Sequence, residues 1–540
     1  MIQHAPASLE EFLASCERCE EVQEQVLLNI LHHAAESAIG QKFNFSTIKN
    51  YADFVEAVPP QNWKDLEPYA QAMEHGESNQ LFNGAPDYFV CTSGTTGAIK
   101  KIPESPRGRL AKSLTTQLRV EAISRHAPSS MTARILPLVN NAVEGHTEAG
   151  IPFGSASGIA LATASQALRD HMAFPMEVLE AGYGDALDYL ILRFALLQDV
   201  RSIFGNNAGR IEQFFRRAEK EAEQLISDIE HGTLTCEYPV PDPLLKTLRE
   251  KCAPHPTRAK ELREAWKKNG RFLPETYWPN LQVISCWLAG SVGRYVKGLR
   301  PLLAPSVQLF DLGYGATEGK FNLPLKPEQA IGPLTIFSAF YEFCPLGENR
   351  FLRAHELQDG ACYEMYVTNY SGLYRYPIRD VVRVDGFLGN TPQIVFEYKA
   401  GEMLNLAGEK VAAATLLPVV SKTLGESLLH WCVVEDPVQE RYLFCLEFTN
   451  PSANPQSFAT TCAEKLEKAL MEETLIYPIF RNQNLLQKVG VKLMRSGWMK
   501  ELYADQTRDG RSEVQIKLSL VCSIIPHSEY ILAASTEKKL

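Results

Sequence analysis

The stretch Tyr88-Phe89-Val90-Cys91-Thr92-Ser93-Gly94-Thr95-Thr96-Gly97-Ala98-Ile99-Lys100-Lys101 carries the sharpest local signal in the chain. An apolar segment that is typical of the end of a strand precedes a loop of glycines, hydroxyl side chains and lysines. Glycine lets the backbone approach an anion closely, and the hydroxyls can donate hydrogen bonds to phosphate oxygens. The loop predicts a phosphate-binding site formed by Thr92, Ser93, Gly94, Thr95, Thr96, Gly97 and Lys100, with Lys101 as a second source of charge.

Other known motifs do not match this loop or the later Gly/Ser-rich run. Ile99 stands where the G-x-x-x-x-G-K-[ST] loop requires its second glycine, so this is a different phosphate loop. An ordinary Ser/Thr/Gly turn is the structural alternative, although such a turn rarely gathers hydroxyls, glycines and lysines in this order. The later run Gly154–Gly158 is no nucleophile elbow, because Ala156 occupies the central serine position.

Further motifs follow the loop in a fixed order. They are Trp278-Pro279-Asn280-Leu281-Gln282-Val283, Cys286-Trp287, Gly290-Ser291 with Tyr295, Gly313-Tyr314-Gly315-Ala316-Thr317-Glu318-Gly319, Phe340-Tyr341-Glu342-Phe343 with Pro345-Leu346, and Gly372-Leu373-Tyr374-Arg375-Tyr376 through Asp380 to Gly386-Phe387. The string S-G-T-T-G-x-x-K resembles the phosphate motif of adenylate-forming enzymes. The ordered set, over roughly residues 20–520, resembles the acyl acid amido synthetases first known as auxin-responsive plant proteins, the Gretchen Hagen family, and a microbial member is expected.

The resemblance assigns roles to the second motif, Tyr314, Gly315, Ala316, Thr317 and Glu318. It implies that Tyr314 lies against adenine, that Thr317 lies near the α-phosphate, and that Glu318 is catalytic and holds Mg²⁺. A carboxylate beside a triphosphate is chemically reasonable, because a hard divalent ion prefers oxygen ligands. A Gly-rich turn with an exposed glutamate is the alternative.

In the third motif the resemblance implies that Asp380 accepts hydrogen bonds from the ribose hydroxyls. The chain departs from the family pattern here, because Arg379 replaces a glycine and Pro377 replaces an arginine. Proline has a fixed φ and no N–H donor, so a changed turn geometry is expected.

Two lysines complete the predicted site. Lys410 lies in Leu406-Ala407-Gly408-Glu409-Lys410, which resembles the turn after the hinge that brings a glycine and a lysine over the nucleotide. Lys517 lies on the polar side of an alternating strand pattern near the C-terminus. The resemblance implies that Lys517 is catalytic and reaches the α-phosphate and the acyl carboxylate; an ordinary solvated lysine is the alternative.

A chain of 540 residues exceeds what one hydrophobic core usually serves, so two or more domains are expected. The resemblance implies an α/β fold, with a large N-terminal domain of α/β layers plus a small β-barrel and a smaller mobile α+β C-terminal domain. The predicted domains are residues 1–395, with the ATP and acyl-acid sites, and residues 396–540.

Local patterns predict elements within these domains. Residues 8–39 and 186–230 are typical of helices, and residues 393–409 are typical of a hinge or linker. Strands are predicted at Gln282–Trp287, Thr335–Phe343, Cys362–Val367 and Val381–Val384.

Composition narrows the possible partners. A formal net charge of −10 disfavours nucleic acid as a partner. The longest uncharged run, residues 149–168, is too polar to span a membrane, and no secretory leader opens the chain. Scattered cysteines within apolar runs favour reduced thiols in the cytoplasm. Cys16 and Cys19 are poor zinc ligands, because the only nearby histidines are adjacent. A monomer or weak oligomer is expected.

The resemblance implies ATP-dependent adenylation of an acyl acid with Mg²⁺, followed by transfer to an amine, with an amino acid as the expected acceptor. AMP and pyrophosphate are the other products. Two alternatives stay open: an acyl-CoA ligase of the same superfamily, and a non-catalytic ligand-binding relative, for which the altered Pro377 and Arg379 are the only sequence support.

Overall fold

The computed structural model of the chain describes residues 5–91, 100–138, 143–156, 166–181, 184–289, 296–399, 403–404, 406–407, 411–425, 427–449, 454–474, 477–498 and 520–522. By its internal contacts the chain divides into two compact units, residues 1–396 and 397–540. The division lies one residue from the boundary predicted from the sequence.

The helices of the described residues begin at side chains suited to that position. The Ser8 hydroxyl, the Asn62 amide oxygen and the Ser105 hydroxyl each accept from a backbone N–H of the first turn. The α-helices are α1 (Leu9–Ser15), α2 (Cys19–His32), α3 (Ala38–Lys42), α4 (Tyr51–Ala57), α5 (Trp63–Glu74), α6 (Pro106–His126), α7 (Gln166–Asp170), α8 (Asp185–Ala195), α9 (Ala208–Lys220), α10 (Ala222–His231), α11 (Asp242–Glu250), α12 (Pro256–Asn269), α13 (Pro274–Tyr277), α14 (Val296–Leu299), α15 (Ala413–Leu424), α16 (Pro455–Glu473) and α17 (Tyr477–Asn482). None of these described helices is both long and apolar enough to span a membrane.

The strands form several separate sheets. They are β1 (Tyr88–Cys91), β2 (Lys101–Glu104), β3 (Arg134–Leu138), β4 (Gly145–His146), β5 (Pro152–Gly154), β6 (Val200–Gly205), β7 (Val283–Cys286), β8 (Gln308–Asp311), β9 (Gly315–Ala316), β10 (Gly319–Lys320), β11 (Gly332–Pro333), β12 (Phe340–Pro345), β13 (Leu352–Arg353), β14 (Cys362–Thr368), β15 (Tyr376–Leu388), β16 (Thr391–Lys399), β17 (Met403–Leu404), β18 (Val411–Ala412), β19 (Leu428–Asp436), β20 (Arg441–Phe448), β21 (Gly490–Leu493) and β22 (Val521–Cys522).

The helix predicted at residues 8–39 is interrupted. A 3-10 turn at Cys16–Arg18 separates α1 from α2. The Cys16 carbonyl accepts from the Asn390 N–H at 3.0 Å and from the Thr391 hydroxyl at 2.9 Å. These contacts with the turn between β15 and β16 occupy a carbonyl that a continuous helix would use internally.

The prediction of helix throughout residues 186–230 is wrong at β6, which lies between α8 and α9. The strand pairs parallel with β3 and β7, and β7 pairs parallel with β8. A short apolar run cannot be assigned to helix or strand by periodicity alone, and here the sheet decides. Helices α8–α12 pack their apolar residues in the same core as this sheet, which is usual for parallel strands.

Two further sheets complete the first unit. In the sheet of order β2-β1-β5-β4, Cys91 pairs with Lys101, so the two ends of the phosphate loop lie directly opposite each other. The other sheet has the order β11-β16-β15-β14-β12-β13. In the described strand pairs, β11 and β13 lie at the two edges of this sheet. The small β-barrel expected from the resemblance is therefore an open six-stranded sheet among the described residues. Its core is shared with helices α1–α6.

The remaining predicted strands correspond to β7, β12, β14 and β15 with shifted ends. The segment predicted as a linker at residues 393–409 is strand over much of its length, since β16 continues to Lys399. In the second unit, β21-β20-β19-β22 form a sheet, and α15 and α16 share a core with it. All twelve cysteines of the chain are free thiols.

A buried ion pair links helix α4 to the six-stranded sheet. The Arg375 Nε donates to Glu342 Oε2 at 2.9 Å, and its Nη1 donates to the Val58 carbonyl at 2.9 Å. The Tyr51 hydroxyl donates to Glu342 Oε1 at 2.9 Å. Burial raises the pKa of Glu342 despite these partners. The stability of this buried ion pair therefore depends on Glu342 and Arg375 keeping their hydrogen-bond partners.

We expect Glu342→Gln to lower the free energy of unfolding of the first unit by about 3 kcal/mol, because it leaves the Arg375 guanidinium buried without a counter-charge. Urea unfolding followed by tryptophan fluorescence measures this loss. Glu348→Gln is the matched control, because Glu348 pairs with Arg350 at the surface and such pairs contribute roughly 0–1 kcal/mol. Equal effects of the two substitutions would contradict the structural role of the buried pair.

Candidate nucleotide-binding and adenylation site

The second motif follows directly from the carboxyl end of β8, where ligands commonly bind in open parallel sheets. Asp311, the last residue of that strand, accepts from the Leu288 N–H at 2.6 Å and from the Gly313 N–H at 2.7 Å. Burial raises the pKa of Asp311 to about 6. The carboxylate therefore joins the ends of β7 and β8 and fixes the direction in which the chain leaves the sheet.

Gly313 makes the turn into the motif possible. Its φ is +80°, and a Cβ at this position would lie 2.7 Å from the Asn322 carbonyl oxygen. The Asn322 side-chain oxygen in turn accepts from the Tyr314 N–H at 2.6 Å. The backbone is thus held on both sides of Gly313, and any other residue there would clash as well as strain the turn.

Tyr314 connects the second motif to the third. Its hydroxyl donates to Asp380 Oδ2 at 2.8 Å, and both side chains are buried. The ring stacks on Phe396 with a centroid distance of 5.4 Å and contacts Phe321 at 4.9 Å. The predicted adenine contact of Tyr314 stays a prediction; the ring's described contacts are with these two phenylalanines.

The segment that carries Asp380 is a bulge. In β15, residues 378–380 lie opposite the single residue Met365 of β14. Arg379 is exposed with a φ of +58°, whereas Asp380 is buried. The left-handed conformation is one that glycine adopts freely, so an arginine in this conformation adds strain. The changed turn geometry expected from Pro377 stays a prediction.

Helix α6 holds the second motif from the other side. The Lys112 Nζ donates to the Thr317 carbonyl at 2.9 Å and pairs with Glu104 Oε2 at 2.5 Å. The Arg119 Nη1 donates to the Leu312 carbonyl at 2.6 Å. Lys112 and Arg119 are seven residues apart, so they lie on one face of the helix. Sequence reasoning missed both residues; their seven-residue spacing was a detectable signal, but their partners lie about two hundred residues away.

Lys100, Tyr376 and Glu318 lie in one neighbourhood. The Lys100 Nζ donates to the Tyr376 hydroxyl at 3.5 Å, a long contact, and lies 5.9 Å from the centroid of the Trp63 ring. Burial, and then the charge of Glu318, raise the pKa of the Tyr376 phenol. The Glu318 carbonyl accepts from the Asn369 side chain at 2.8 Å. Lys100 of the phosphate loop therefore lies near Tyr376 of the third motif, and Tyr376 in turn is affected by the charge of Glu318 in the second motif.

The structure brings together part of the predicted site. Gly315 and Ala316 form β9, which pairs with β10 in a small hairpin, and the partly buried Thr317 and Glu318 form its turn. With Lys100, Tyr314 and Asp380 they form one cluster around the end of β8. The other predicted residues lie outside the described residues: Thr92, Ser93, Gly94, Thr95, Thr96, Gly97, Lys410 and Lys517.

Comparison with family models identifies the chain. Residues 8–309 match the N-terminal domain of the GH3 family, residues 332–399 match its central domain and residues 416–523 match its C-terminal domain. The chain belongs to the GH3 family. The resemblance drawn from the ordered motifs is therefore confirmed.

Several plant GH3 proteins are similar in sequence. The jasmonoyl–L-amino acid synthetase JAR4 of Nicotiana attenuata is 25% identical over 74% of this chain and 73% of its own length. The 4-substituted benzoates-glutamate ligase GH3.12 of Arabidopsis thaliana is 25% identical over 68% and 67%. The jasmonoyl–L-amino acid synthetase GH3.5 of Oryza sativa is 24% identical over 92% and 91%. These relatives are named as ligases that conjugate acids with amino acids. The comparisons give no support to a microbial origin.

Solved GH3 structures share the fold. A GH3.15 acyl acid amido synthetase matches with a TM-score of 0.81 at 20% identity, over 96% of this chain and 93% of that one. The same enzyme in complex with 2,4-DB matches with a TM-score of 0.84 at 19% identity, over 97% and 96%. The predicted α/β class, with a large N-terminal and a smaller C-terminal domain, is confirmed.

The strain at Arg379 can be measured. We expect Arg379→Gly to be more stable than Arg379→Ala by about 1 kcal/mol, because glycine adopts a positive φ without the steric cost of a Cβ. Both variants remove the same exposed charge. The difference between their free energies of unfolding in urea therefore measures the strain of the backbone at this position. Equal stability of the two variants would mean that this bulge relaxes in solution.

Proposed function

We propose that this GH3 protein uses ATP to adenylate an acyl acid and then transfers the acyl group to the amine of an amino acid. The observation that carries the proposal is the Tyr314–Asp380 hydrogen bond at 2.8 Å, which joins the second and third nucleotide motifs. Membership of a family whose named relatives are acid–amino acid ligases supports it. The products are an amide conjugate, AMP and pyrophosphate.

In the first half-reaction, the carboxylate of the acid attacks the α-phosphorus of ATP and pyrophosphate leaves. We assign phosphate contacts to residues 92–97 and to Lys100, whose ammonium lies 3.5 Å from the Tyr376 hydroxyl. Asp380 would accept from the ribose hydroxyls, and Thr317 would face the α-phosphate. Fixed donors and charges at these positions stabilise charge that develops as the bond forms.

We assign Glu318 as the residue of this cluster that holds Mg²⁺. No group of three or more metal-ligating side chains occurs among the described residues. Mg²⁺ is commonly held by one or two carboxylates together with substrate phosphates, so one carboxylate of this chain is enough for the proposed ion. Glu318 is partly buried in the turn of a hairpin that α6 and Asn369 hold by the backbone. The bound ion would neutralise phosphate charge and orient the leaving pyrophosphate.

The second half-reaction takes place at the same site but needs a different arrangement of the catalytic residues. The amine attacks the acyl carbon, the acyl–phosphate bond breaks, AMP leaves and the amine gives up a proton. Lys517 and Lys410 both belong to the second compact unit, residues 397–540. We propose that this unit moves between the steps, with Lys517 serving only the first. A cytoplasmic location is proposed from the free thiols.

We expect the double variant Ser93→Ala/Thr95→Ala to bind ATP about tenfold or more weakly, as for loss of hydrogen bonds to a charged group. Acid-dependent ATP–pyrophosphate exchange should fall with it, while the melting temperature should change little. Thr132→Ala is the control, because the Thr132 hydroxyl bonds only locally to the Ser129 carbonyl at the surface. Unchanged ATP affinity in the double variant would show that the loop does not bind phosphate.

The exchange assay with a panel of acids also tests the proposed function itself. Exchange followed by amide formation with amino acids supports it. Exchange followed by thioester formation with coenzyme A instead would identify an acyl-CoA ligase. A failure of every acid to support exchange, with ATP still binding, would favour a non-catalytic relative.

We expect Lys517→Ala to abolish most pyrophosphate exchange, because a cation at a charged transition state lowers the barrier by several kcal/mol, of the order of 3. Given preformed acyl-adenylate, the same variant should form amide at close to the wild-type rate. Single-turnover kinetics of each half-reaction make the comparison. Equal damage to both would indicate a fixed active site, and damage to neither would exclude Lys517 as the catalytic lysine.

A further inference from the structure

The backbone on both sides of Glu318 is held by donors that lie outside the second motif. In the two-residue turn between β9 and β10, the Thr317 carbonyl accepts from Lys112 Nζ at 2.9 Å. The Glu318 carbonyl accepts from Asn369 Nδ2 at 2.8 Å. These two carbonyls belong to the peptide bonds before and after the Glu318 Cα. The donors lie 205 and 51 residues away from their acceptors in the sequence.

The two hydrogen bonds determine the direction in which the Glu318 side chain leaves the backbone. A peptide unit is planar, so each residue has only two freely rotating backbone angles. Holding the carbonyl before the Glu318 Cα and the carbonyl after it restricts both of these angles. The direction of the Cα–Cβ bond is then set, and the carboxylate can reach only the positions that the side-chain rotamers allow.

The Asn369 amide has one orientation that satisfies its neighbours. Its Oδ1 accepts from the Ser371 N–H at 3.0 Å and from the Leu373 N–H at 3.2 Å. Exchange of the amide oxygen and nitrogen would place donors against donors and an acceptor against the Glu318 carbonyl. Asn369 is buried, and the loop of residues 369–373 runs into the third motif. Its side chain therefore connects the third motif to the turn that carries Glu318.

Helix α6, which carries the other donor, packs on the same loop. The Ser105 hydroxyl, at the start of the helix, donates to the Tyr370 carbonyl at 2.7 Å. A Cβ on Gly108 would lie 2.0 Å from Ser371 Oγ, so the helix and the loop are in close contact there. One turn further along, the helix carries Lys112. The two donors to the turn therefore belong to one packed unit.

We propose that Asn369 is a positioning residue for adenylation, which together with Lys112 directs the Glu318 carboxylate toward Mg²⁺. The inference rests on the proposed function and on the assignment of Glu318 to the ion. Mg²⁺ demands near-ideal octahedral geometry, so a carboxylate whose direction is fixed before the ion arrives binds it more tightly. Because Asn369 acts through the backbone of Glu318, its loss should weaken the Mg²⁺-dependent part of ATP binding and leave the rest unchanged.

The first test removes the donor of Asn369 and keeps its acceptor. Asn369→Asp can still accept from the N–H groups of Ser371 and Leu373, but it cannot donate to the Glu318 carbonyl as an ionised carboxylate. The Mg²⁺ concentration for half-maximal ATP–pyrophosphate exchange should rise about tenfold, as for loss of one buried hydrogen bond. In titration calorimetry without acid, the gain in ATP affinity on adding Mg²⁺ should shrink by about the same factor. The ATP affinity without Mg²⁺ should equal that of the wild type.

Asn369→Ala removes the same donor without adding a charge, and it should give the same shift. A shift in Asn369→Ala with none in Asn369→Asp would assign the effect to the conformation of the loop and overturn the proposal. Should neither variant fold, Glu104→Gln/Lys112→Met tests the other donor. That double variant removes Lys112 together with its buried partner Glu104, so no buried charge is left unpaired. An unchanged Mg²⁺ requirement in it would overturn the proposal.

Gln23→Glu is the matched control, because Gln23 is a buried amide with the same kind of partners. Its Nε2 donates to the carbonyls of Ile336 and Ala339 at 2.6 and 2.8 Å, and its Oε1 accepts from the Tyr341 N–H at 2.9 Å. The substitution should lower the melting temperature and leave the Mg²⁺ requirement at the wild-type value. Equal shifts in Gln23→Glu and Asn369→Asp would indicate general loss of stability and overturn the positioning role.

The outcomes separate this inference from the function on which it depends. Exchange with the same Mg²⁺ requirement in the wild type and in both Asn369 variants overturns the role of Asn369 and leaves adenylation intact. An unchanged Mg²⁺ requirement in Glu318→Gln overturns the assignment of Glu318 and this inference with it. Absence of exchange with every acid in the wild type overturns adenylation itself, whereas the calorimetric comparison still decides whether Asn369 acts on Mg²⁺ binding.

Discussion

The hydrogen bond from the Tyr314 hydroxyl to the Asp380 carboxylate is the contact on which the candidate site depends. Tyr314 follows the end of a parallel sheet, and Asp380 lies on a bulge of a separate six-stranded sheet. The two sheets have different cores. This buried polar contact, with Phe396 stacked on the tyrosine ring, therefore contributes to the distance between two motifs that we propose act on one nucleotide. Burial makes this contact strong, because an unpaired Asp380 there would be costly.

Helix α6 provides the second constraint. It starts a few residues after the phosphate loop, at Pro106, with Ser105 as its cap. Two of its long cationic side chains then reach backbone carbonyls at the two ends of the second motif. Because the contacts are to the backbone, they fix the path of residues 312–317 whatever side chains that segment carries.

Strain and charge are concentrated around this cluster. Arg379 adopts a backbone conformation that favours glycine, burial raises the pKa of Asp311 to about 6, and burial lowers the pKa of the Lys320 amine to about 7. Each feature lowers stability when considered alone. Such features persist where many surrounding contacts hold the residue in place, and they are often found at functional sites. Their presence at the end of β8 agrees with the family assignment, which rests on independent grounds.

The sequence by itself determined the family, the fold class and the identity of the motifs, because glycines, hydroxyls and carboxylates in a fixed order reflect chemistry that needs those residue types. Only the tertiary structure decided that the first helix breaks at Cys16, that β6 is a strand, and that Arg379 has a left-handed backbone conformation. It also decided the roles of Lys112 and Arg119, which no local pattern revealed. The physical reason is the same in each case: the deciding partner, whether Asn390, a neighbouring strand or the carbonyl of Thr317, lies far away in the sequence. Local propensity cannot anticipate a hydrogen bond or a strand pairing that exists only after the chain has folded.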